Sequence, residues 1–204
     1  MDDLLLLILC SPSGAGKTTL TRRLLGQIPE LTFSVSHTTR KPRANEVHAK
    51  DYHFVSRDEF EDLVAQRKFA EWAEVHGNLY GTSNAEIERA KHEGKRGVVF
   101  DIDYQGARQI KATHKDAVGV FVLPPSLEEL LRRLRGRASD DAATIDRRFK
   151  KALVEIEHYP FLDYLIVNDD LERATATLIG IVHAELARRW RLAHVAENLL
   201  REKT

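Results

Sequence analysis

The residues with the clearest chemical meaning lie near the start of the chain, where an apolar run is followed by a glycine-rich turn. The apolar run covers residues 4–10, and a helix-forming segment begins near Thr19. The turn between them consists of Ser11, Pro12, Ser13, Gly14, Ala15, Gly16, Lys17 and Thr18. Glycines let backbone N–H groups curl around phosphates, and the following helix directs its positive end at them. Lys17 would reach the β- and γ-phosphate oxygens, and Thr18 would offer a hydroxyl to Mg²⁺. Residues 11–19 therefore predict a site for a nucleoside triphosphate.

One residue departs from the usual pattern of this loop. The pattern G-x-x-x-x-G-K-[ST] begins with glycine, and Ser11 stands at that position. Serine can replace the glycine if its backbone keeps φ below zero. The alternative interpretation is a strand–turn–helix that contains Gly-Lys-Thr by chance. The apolar strand before the loop and the helix after it favour phosphate binding.

Composition and charge exclude several other classes of protein. The chain has 204 residues, of which 43% are hydrophobic and 30% charged, so it can bury a sizeable core. Its 31 basic residues balance 31 acidic ones, and no global field favours nucleic acid or an anionic membrane. The single cysteine, Cys10, cannot form an internal disulfide, which is consistent with a cytoplasmic protein. The run at 4–10 lacks a basic flank and is too short to span a bilayer.

Apolar runs that alternate with helical patterns predict an α/β fold with a parallel sheet and helices on both faces. The predicted strands are 4–10, 32–36, 97–102, 118–123 and 164–167, and the predicted helices are 107–115, 127–134 and 144–157. Residues 38–93 interrupt this rhythm, with short strand-like pieces at 52–55 and 69–75, and we interpret them as an inserted substrate lobe. The last helix is predicted to run from Leu171 to about Leu200. Its second half either packs on a second copy of the chain, in a homo-oligomer, or lies in solvent.

Further motifs follow the phosphate-binding loop in a fixed order. The first block covers residues 34–43, Ser-Val-Ser-His-Thr-Thr-Arg-Lys-Pro-Arg, and is followed by Glu46 and by 51–54, Asp-Tyr-His-Phe. The next blocks are 69–72, Phe-Ala-Glu-Trp, and 77–83, Gly-Asn-Leu-Tyr-Gly-Thr-Ser. The last blocks are 101–106, 124–126, the segment 137–148 and 167–170. In this order and at these spacings, the blocks resemble the guanylate kinases, and the resemblance covers residues 4–186.

The resemblance implies a P-loop sheet with an inserted GMP-binding lobe and a lid. The chain would be a single domain, with its core at 1–37, 94–134 and 149–204, its lobe at about 38–93 and its lid at about 135–148. The implied reaction transfers the γ-phosphoryl group of ATP to GMP, and to dGMP as well, in purine nucleotide metabolism. The acceptor oxygen belongs to an ionised phosphate, so no strong general base is needed. Lys, Arg and Mg²⁺ would carry catalysis through positioning and charge neutralisation.

The resemblance also assigns residues to the GMP phosphate. Arg40 and Arg43 would bind it, with Arg40 close enough to bridge towards the transferred group. Tyr52 and Tyr80 would donate hydroxyl hydrogen bonds to the same phosphate. Planar guanidinium groups suit this task better than ammonium groups. An isolated arginine is usually a solvated surface charge, and the surrounding motif argues against that alternative.

Guanine recognition follows from hydrogen-bond polarity. Guanine presents its N1–H and exocyclic amine as neighbouring donors that one carboxylate can accept together, and adenine has neither. Glu71 is the predicted acceptor, because its aromatic neighbours suggest a partly buried strand, where an unpaired charge is costly. The alternative is a solvated carboxylate. By the resemblance, Ser36 and Thr82 offer hydroxyls to O6, and Asp103 lies on the same side of the pocket.

The remaining predicted residues concern ATP and its metal. Asp101 ends a strand-like run, where an acidic residue commonly orients Mg²⁺ or its waters, but it could instead cap the next helix. By the resemblance, Arg137 and Arg148 reach the triphosphate, Arg133 lies nearby, and Asn168 lies at the adenine. The predicted catalytic residues are Lys17, Arg40, Arg137 and Arg148, and the predicted metal-binding residues are Thr18 and Asp101.

Two other functions fit parts of the sequence. A kinase-like binding module that has lost catalysis should lack the loop lysine or the lid arginines, and this chain has both. A related kinase with another phosphate acceptor should lack the guanine-reading residues, and Glu71, Ser36 and Thr82 argue against it. His48 and His53 lie near one another without cysteine or an ordered carboxylate set, so a structural metal site is not expected. Mg²⁺ bound with ATP is the expected metal.

Overall fold

The computed structural model describes residues 4–75, 77–136 and 141–202. The strands are β1 Leu5–Cys10, β2 Leu31–Phe33, β3 His37–Thr38, β4 His53–Phe54, β5 Phe69–Val75, β6 Asn78–Ser83, β7 Gly97–Asp101, β8 Val118–Leu123 and β9 Tyr164–Val167. The helices are α1 Lys17–Gln27, α2 Arg57–Ala65, α3 Asn84–His92, α4 Tyr104–Thr113, α5 Leu127–Arg135, α6 Ala142–Ile156, α7 Leu171–Leu186 and α8 Ala193–Arg201, with a 3₁₀ turn at Tyr159–Phe161. Within the described ranges, no helix is both long enough and apolar enough to cross a membrane.

Five strands form a parallel sheet in the order β2-β7-β1-β8-β9. Helices connect most of these strands and cover both faces, so the predicted α/β fold is confirmed. In a parallel sheet all carboxyl ends lie at one edge, and ligands commonly bind there. The loops that leave β1, β7 and β9 at this edge carry most of the predicted ATP-site residues.

The central strand β1 is buried on both faces, which explains its continuous apolar sequence. Side chains alternate between the two faces along a strand. Leu5, Leu7 and Leu9 pack with helices α1 and α7, whereas Leu6 and Ile8 pack with α3 and α4 on the other face. This packing fixes the end of β1, from which the phosphate-binding loop emerges.

A second sheet has four strands in the order β4-β3-β6-β5 and lies within residues 37–83. Its pairs are antiparallel except for β3 with β4. Strand β5 packs against α4, the helix that follows β7. The two sheets therefore meet near the carboxyl end of β7, beside the loop that follows β1.

The predicted strands of the main sheet and the helices predicted between them are confirmed. The bounds of each observed element differ from the predicted bounds by at most three residues.

The prediction of one continuous C-terminal helix is wrong, because α7 ends at Leu186 and α8 begins at Ala193. Between the two helices the buried Arg191 folds back onto the structure. It stacks over Trp190 and donates to the Asp116 carbonyl oxygen at 3.3 Å. A straight helix would carry Arg191 past these contacts.

Candidate functional site

The turn after β1 has the backbone shape of a phosphate-binding loop. Gly14 and Gly16 have φ values of +97° and +98°, in the left-handed region that favours glycine. Gly16 caps the amino end of α1, and a Cβ added to it would collide with the side-chain amide of Asn168. Thr18 and Thr19 are exposed in the first turn of α1. The positive end of α1 therefore points into an accessible, glycine-lined loop.

Lys17 holds its charge at the carboxyl edge of the main sheet. Its ammonium group pairs with the Asp101 carboxylate at the end of β7 and donates to the Ile102 carbonyl oxygen at 3.1 Å. Burial is the largest single influence on the pKa of Lys17 and lowers it, but the charge and hydrogen bond of Asp101, with smaller contributions from Cys10 and Tyr52, together raise that pKa above its ordinary value. Lys17 is therefore a fixed cation at neutral pH.

The structure tests the helix-cap alternative for Asp101, whose predicted contact with Mg²⁺ stays a prediction. Helix α4 is capped by Asp103, which accepts hydrogen bonds from the Gln105 and Gly106 amides at 2.9 and 3.1 Å. The helix-cap interpretation of Asp101 is therefore wrong, because that task falls to the residue two positions later. Asp101 instead pairs with Lys17 at the mouth of the loop.

Two predicted ATP-binding residues contact the loop itself. Asn168 is buried after β9, and its side-chain amide donates to the Ala15 carbonyl oxygen at 2.7 Å. Arg133 of α5 donates to the same oxygen at 3.2 Å and to the Asn168 carbonyl oxygen at 2.9 Å. Glu129 accepts from Nε of Arg133 at 2.7 Å and orients its guanidinium group. Both residues thus support the loop from the side of α5 and β9.

Helix α6 also contacts the loop, at Ser13. Arg148 donates to the Ser13 hydroxyl at 2.8 Å, so this predicted lid arginine lies at the phosphate-binding loop. Glu155, which the sequence did not indicate, accepts from the Ser13 amide at 3.1 Å. Arg137 lies outside the described residues, and its predicted contact with the triphosphate stays a prediction.

A cavity of about 210 Å³ lies between the two sheets and is lined by residues of both predicted ligand sites. Lys17, Asp101 and Asp103 come from the main sheet and its loops. Glu71 and Tyr80 come from β5 and β6 of the smaller sheet. The structure thus brings the loop lysine and the predicted base-reading carboxylate to one cavity.

Glu71 is buried, with 4% of its surface exposed. The alternative interpretation of Glu71 as a solvated carboxylate is therefore wrong. It lies opposite Thr82 in the β5–β6 pairing, and Thr82 donates to it from both its hydroxyl and its main chain. Helix α4 approaches closely at Gly106, where a Cβ would collide with the Glu71 carboxylate. Burial raises the pKa of Glu71 to about 7, although the Thr82 hydrogen bonds oppose this shift; the nearby Asp103 charge adds to it.

Two hydroxyls accompany Glu71. Ser36 and Thr82 lie 2.9 Å apart, oxygen to oxygen, and form a hydrogen bond. Thr82 is fully buried, whereas Ser36 also borders the cavity. Three of the predicted base-contacting residues therefore form one hydrogen-bonded group, and Asp103 lines the same cavity.

A larger cleft of about 860 Å³ adjoins the first cavity at Ser36, Tyr52 and Asp101, and of the two predicted phosphate-binding arginines Arg43 lines it. Arg43 is mostly exposed at the rim of the cleft. Arg40 donates to Glu46 at 2.8 Å, and its guanidinium group lies 5.5 Å from the centre of the Tyr52 ring. The Tyr52 and Tyr80 rings lie 6.1 Å apart. These four predicted residues are therefore neighbours in the fold.

Thr18 and Asp101 border this same cleft with a hydroxyl and a carboxylate. Such oxygens suit Mg²⁺, which usually completes its ligand shell with phosphate oxygens and water. Within the described part of the chain, no three His, Cys, Asp or Glu side chains group as a metal site. The donor set fits a cation that arrives with a nucleotide.

Sequence reasoning missed three carboxylates that hold cations or the loop in place. Glu46 orients Arg40 and lies inside a motif, yet it received no role. Glu129 precedes Arg133 by four positions, a helical spacing that could have indicated their ion pair. Glu155 gave no local signal, because its contact depends on how α6 packs against the loop.

A parallel sheet with a glycine-rich loop, a fixed lysine and a facing polar cavity defines a nucleotide-binding protein of the P-loop class. The family model described as "Guanylate kinase" matches residues 4–185. The chain belongs to the guanylate kinase family, and it is therefore an enzyme of the nucleoside monophosphate kinase type.

Individual relatives agree with this assignment. The guanylate kinase of Geobacter metallireducens is 51% identical over 187 residues, which cover 92% of each chain. The guanylate kinase of Maricaulis maris is 52% identical over 187 residues, covering 91% of this chain and 85% of that one. The crystal structure of guanylate kinase from Anaplasma phagocytophilum superposes with a TM-score of 0.76 at 35% identity, covering 92% of this chain and 89% of that one.

Proposed function

We propose that this enzyme transfers the γ-phosphoryl group of ATP to GMP, and to dGMP as well, and releases ADP and the nucleoside diphosphate. One observation carries the proposal: a single cavity is lined both by the loop cation Lys17 and by the buried carboxylate Glu71. The first suits a transferring phosphoryl group, and the second suits the donor edge of guanine. The geometry supports a reaction between these two ligands, and a role in purine nucleotide metabolism is part of the proposal because GMP is a purine nucleotide.

In this proposal Glu71 reads the base. Its carboxylate accepts the N1–H and the exocyclic amine of guanine together, and Ser36 and Thr82 direct hydroxyls at O6. Adenine would leave the carboxylate without donors, and a buried unpaired charge is costly. Asp103, which lines the same cavity, adds a second acceptor on this side.

The GMP phosphate would bind where the smaller cavity opens into the larger cleft. Arg40 and Arg43 would neutralise its charge, and the hydroxyls of Tyr52 and Tyr80 would donate to its oxygens. Glu46 accepts from Arg40 and holds its guanidinium group near this position. Because Arg40 already lies over the Tyr52 ring, little rearrangement would be needed to reach the phosphate.

The triphosphate would bind to loop residues 11–19, with Lys17 beside the transferred group and Arg148 and Arg137 over the phosphates. Arg133 and Asn168 would act on ATP by holding the loop, since both contact the Ala15 carbonyl oxygen. The acceptor phosphate is already ionised, so the residues position the ligands and neutralise charge without a strong base. Mg²⁺, held by Thr18 and Asp101 when bound with ATP, would supply further charge neutralisation.

A coupled assay of ADP release tests the proposal. The purified chain should turn over GMP and dGMP with ATP and Mg²⁺, and it should leave AMP, CMP and UMP nearly untouched. Equal turnover of AMP would contradict base selection by Glu71. Binding of GMP without turnover of any monophosphate would instead favour the alternative of a binding module.

We also propose a cytoplasmic enzyme without nucleic-acid or membrane partners. The balanced charge and the single buried cysteine support this setting. Exposed apolar side chains on α8, Val195, Leu199 and Leu200, support a homo-oligomer. Sedimentation of the wild-type chain and of a Leu199→Glu, Leu200→Glu variant would decide whether α8 joins copies.

A further inference from the structure

Helix α6 presents a buried carboxylate to the phosphate-binding loop. Glu155 is 8% exposed and accepts a hydrogen bond from the Ser13 amide at 3.1 Å. Arg148 lies two helical turns earlier on the same face and donates to the Ser13 hydroxyl at 2.8 Å. One residue of the loop is therefore held by its main chain and by its side chain, and both partners come from α6.

The charge of Glu155 requires an explanation. A carboxylate beside a triphosphate site repels the ligand, and burial of an anion is costly unless it is paired and hydrogen-bonded. Lys151, one turn earlier, lies 3.5 Å from the second carboxylate oxygen and offsets part of this cost. A neutral side chain would avoid both penalties. What Glu155 supplies in return is a charge-assisted acceptor for a main-chain N–H of the loop.

Anchoring of α6 does not depend on this carboxylate. The helix packs on α5 through an apolar cluster that contains Leu130, Leu134 and Ala152. The same leucines lie against the loop, because a Cβ added to Gly14 would come within 3.1 Å of Leu130 and 3.2 Å of Leu134. Apolar packing therefore sets the distance between α6 and the loop. The hydrogen bond from Ser13 sets the orientation of the loop's main chain, which apolar contacts alone do not determine.

We propose that Glu155 is a positioning residue for ATP, which orients the phosphate-binding loop through the Ser13 amide before the nucleotide binds. A loop that is already oriented loses less conformational freedom when it closes around phosphates, so affinity is gained without any contact between Glu155 and ATP. The inference rests on the proposed function, because it assumes that ATP binds in this loop. Glu155 should affect the affinity for ATP and not the affinity for GMP, because GMP is assigned to the other end of the cavity.

Calorimetric titration of ATP and of GMP, each alone, tests this assignment on three variants. Glu155→Ala should raise the Kd of ATP about tenfold, the usual size for a lost hydrogen bond to a charged group, and should leave the Kd of GMP within about twofold. Glu155→Gln keeps an acceptor oxygen without the charge and should limit the rise to about threefold. Glu157→Ala removes an exposed carboxylate at the end of the same helix and should change neither affinity.

Each result that would overturn the inference points to a different explanation for Glu155. Unchanged ATP affinity in Glu155→Ala would show that the contact is dispensable, and tighter ATP binding would show that Glu155 acts by repulsion. An equal loss for ATP and GMP would show a general structural role. If the alanine variant does not fold, the glutamine variant decides by the same comparison of the two ligands. Failure of the proposed function would look different, because the wild-type chain itself would then release no ADP with GMP.

Discussion

Replacement of Glu71 by glutamine changes the predicted base reader with little change in size. One carboxylate oxygen becomes an NH₂ group, which donates and would face a donor of guanine. Glu71 is buried and already accepts from Thr82, so the new amide cannot turn towards solvent. Hydrogen bonds to a charged group contribute about 1.5–3 kcal/mol. We therefore expect kcat/KM for GMP to fall about tenfold to about 150-fold, with little change in ATP affinity.

The same residue should make GMP binding depend on pH. Burial raises the pKa of Glu71 to about 7, and only the ionised form can accept both guanine donors. Below that pH the free enzyme must lose a proton to bind GMP, so the Kd of GMP should rise about tenfold between pH 8 and pH 6. The phosphate of GMP also titrates, near pH 6. The ratio of wild-type to Glu71→Gln affinity isolates Glu71, because both proteins bind the same ligand.

The raised pKa also affects folding. Glu71 ionises near its ordinary 4.5 in the unfolded chain and near about 7 in the folded one. The folded protein therefore binds more protons between these values, and the resulting stabilisation is lost as the pH rises through about 7. The ionised, buried carboxylate costs roughly 3 kcal/mol at pH 8. We expect Glu71→Gln to melt at a higher temperature than wild type at pH 8, with a smaller difference at pH 5.

Competition between GMP and AMP, melting curves and titrations from pH 6 to 8 would test this reasoning together. Glu74→Gln is the matched control, because Glu74 is exposed on the same strand. It should change neither GMP affinity nor melting. A wild-type preference for GMP over AMP in Glu71→Gln would refute base reading by Glu71, and Asp103 would become the better candidate. An affinity ratio that does not vary with pH would refute the ionisation argument.

Three further substitutions and one control variant test the phosphate-binding loop and its surroundings. Lys17→Ala should lower turnover about a hundredfold to a thousandfold while the protein stays folded by circular dichroism, and near-normal activity would contradict its assigned role. Arg148→Ala should lower kcat/KM for ATP about tenfold or more without changing the Kd of GMP, and an equal loss for GMP would contradict a role specific to ATP. Gly16→Ala forces a side chain into left-handed backbone and against Asn168, so it should destabilise the protein by about 1–3 kcal/mol in denaturant titrations. Gly26→Ala, in the last turn of α1 where a Cβ would meet open space, should be neutral or stabilising by comparison.

The main sheet could be predicted from sequence because its signals are local. Buried parallel strands appear as apolar runs, and the helices between them show apolar residues at helical spacing. The break between α7 and α8 had no such signal. It depends on Arg191, which is buried against Trp190 and reaches the Asp116 carbonyl, 75 positions earlier in the sequence. A contact of that kind depends on packing between distant residues. The helical pattern in the sequence therefore gave no sign that the helix ends at Leu186.

The candidate site also combines features with a local sequence signal and features that depend on contacts between distant residues. Lys17 and its loop could be placed from the sequence because the motif is contiguous, and the burial of Glu71 because its aromatic neighbours indicate a buried strand. The role of Glu71 in base recognition stays a prediction. The partners that orient these groups lie far away in sequence, as Glu155 does from Ser13.

Gly106 shows why such partners cannot be predicted from local sequence. A glycine in a helix costs about 1 kcal/mol relative to alanine, so from sequence it only weakens α4. In the fold its missing side chain lets α4 close over Glu71, where a Cβ would collide with the carboxylate. That closure removes water from Glu71 and contributes to the burial that raises its pKa, so a local loss of helix stability sets the chemical character of the predicted base reader.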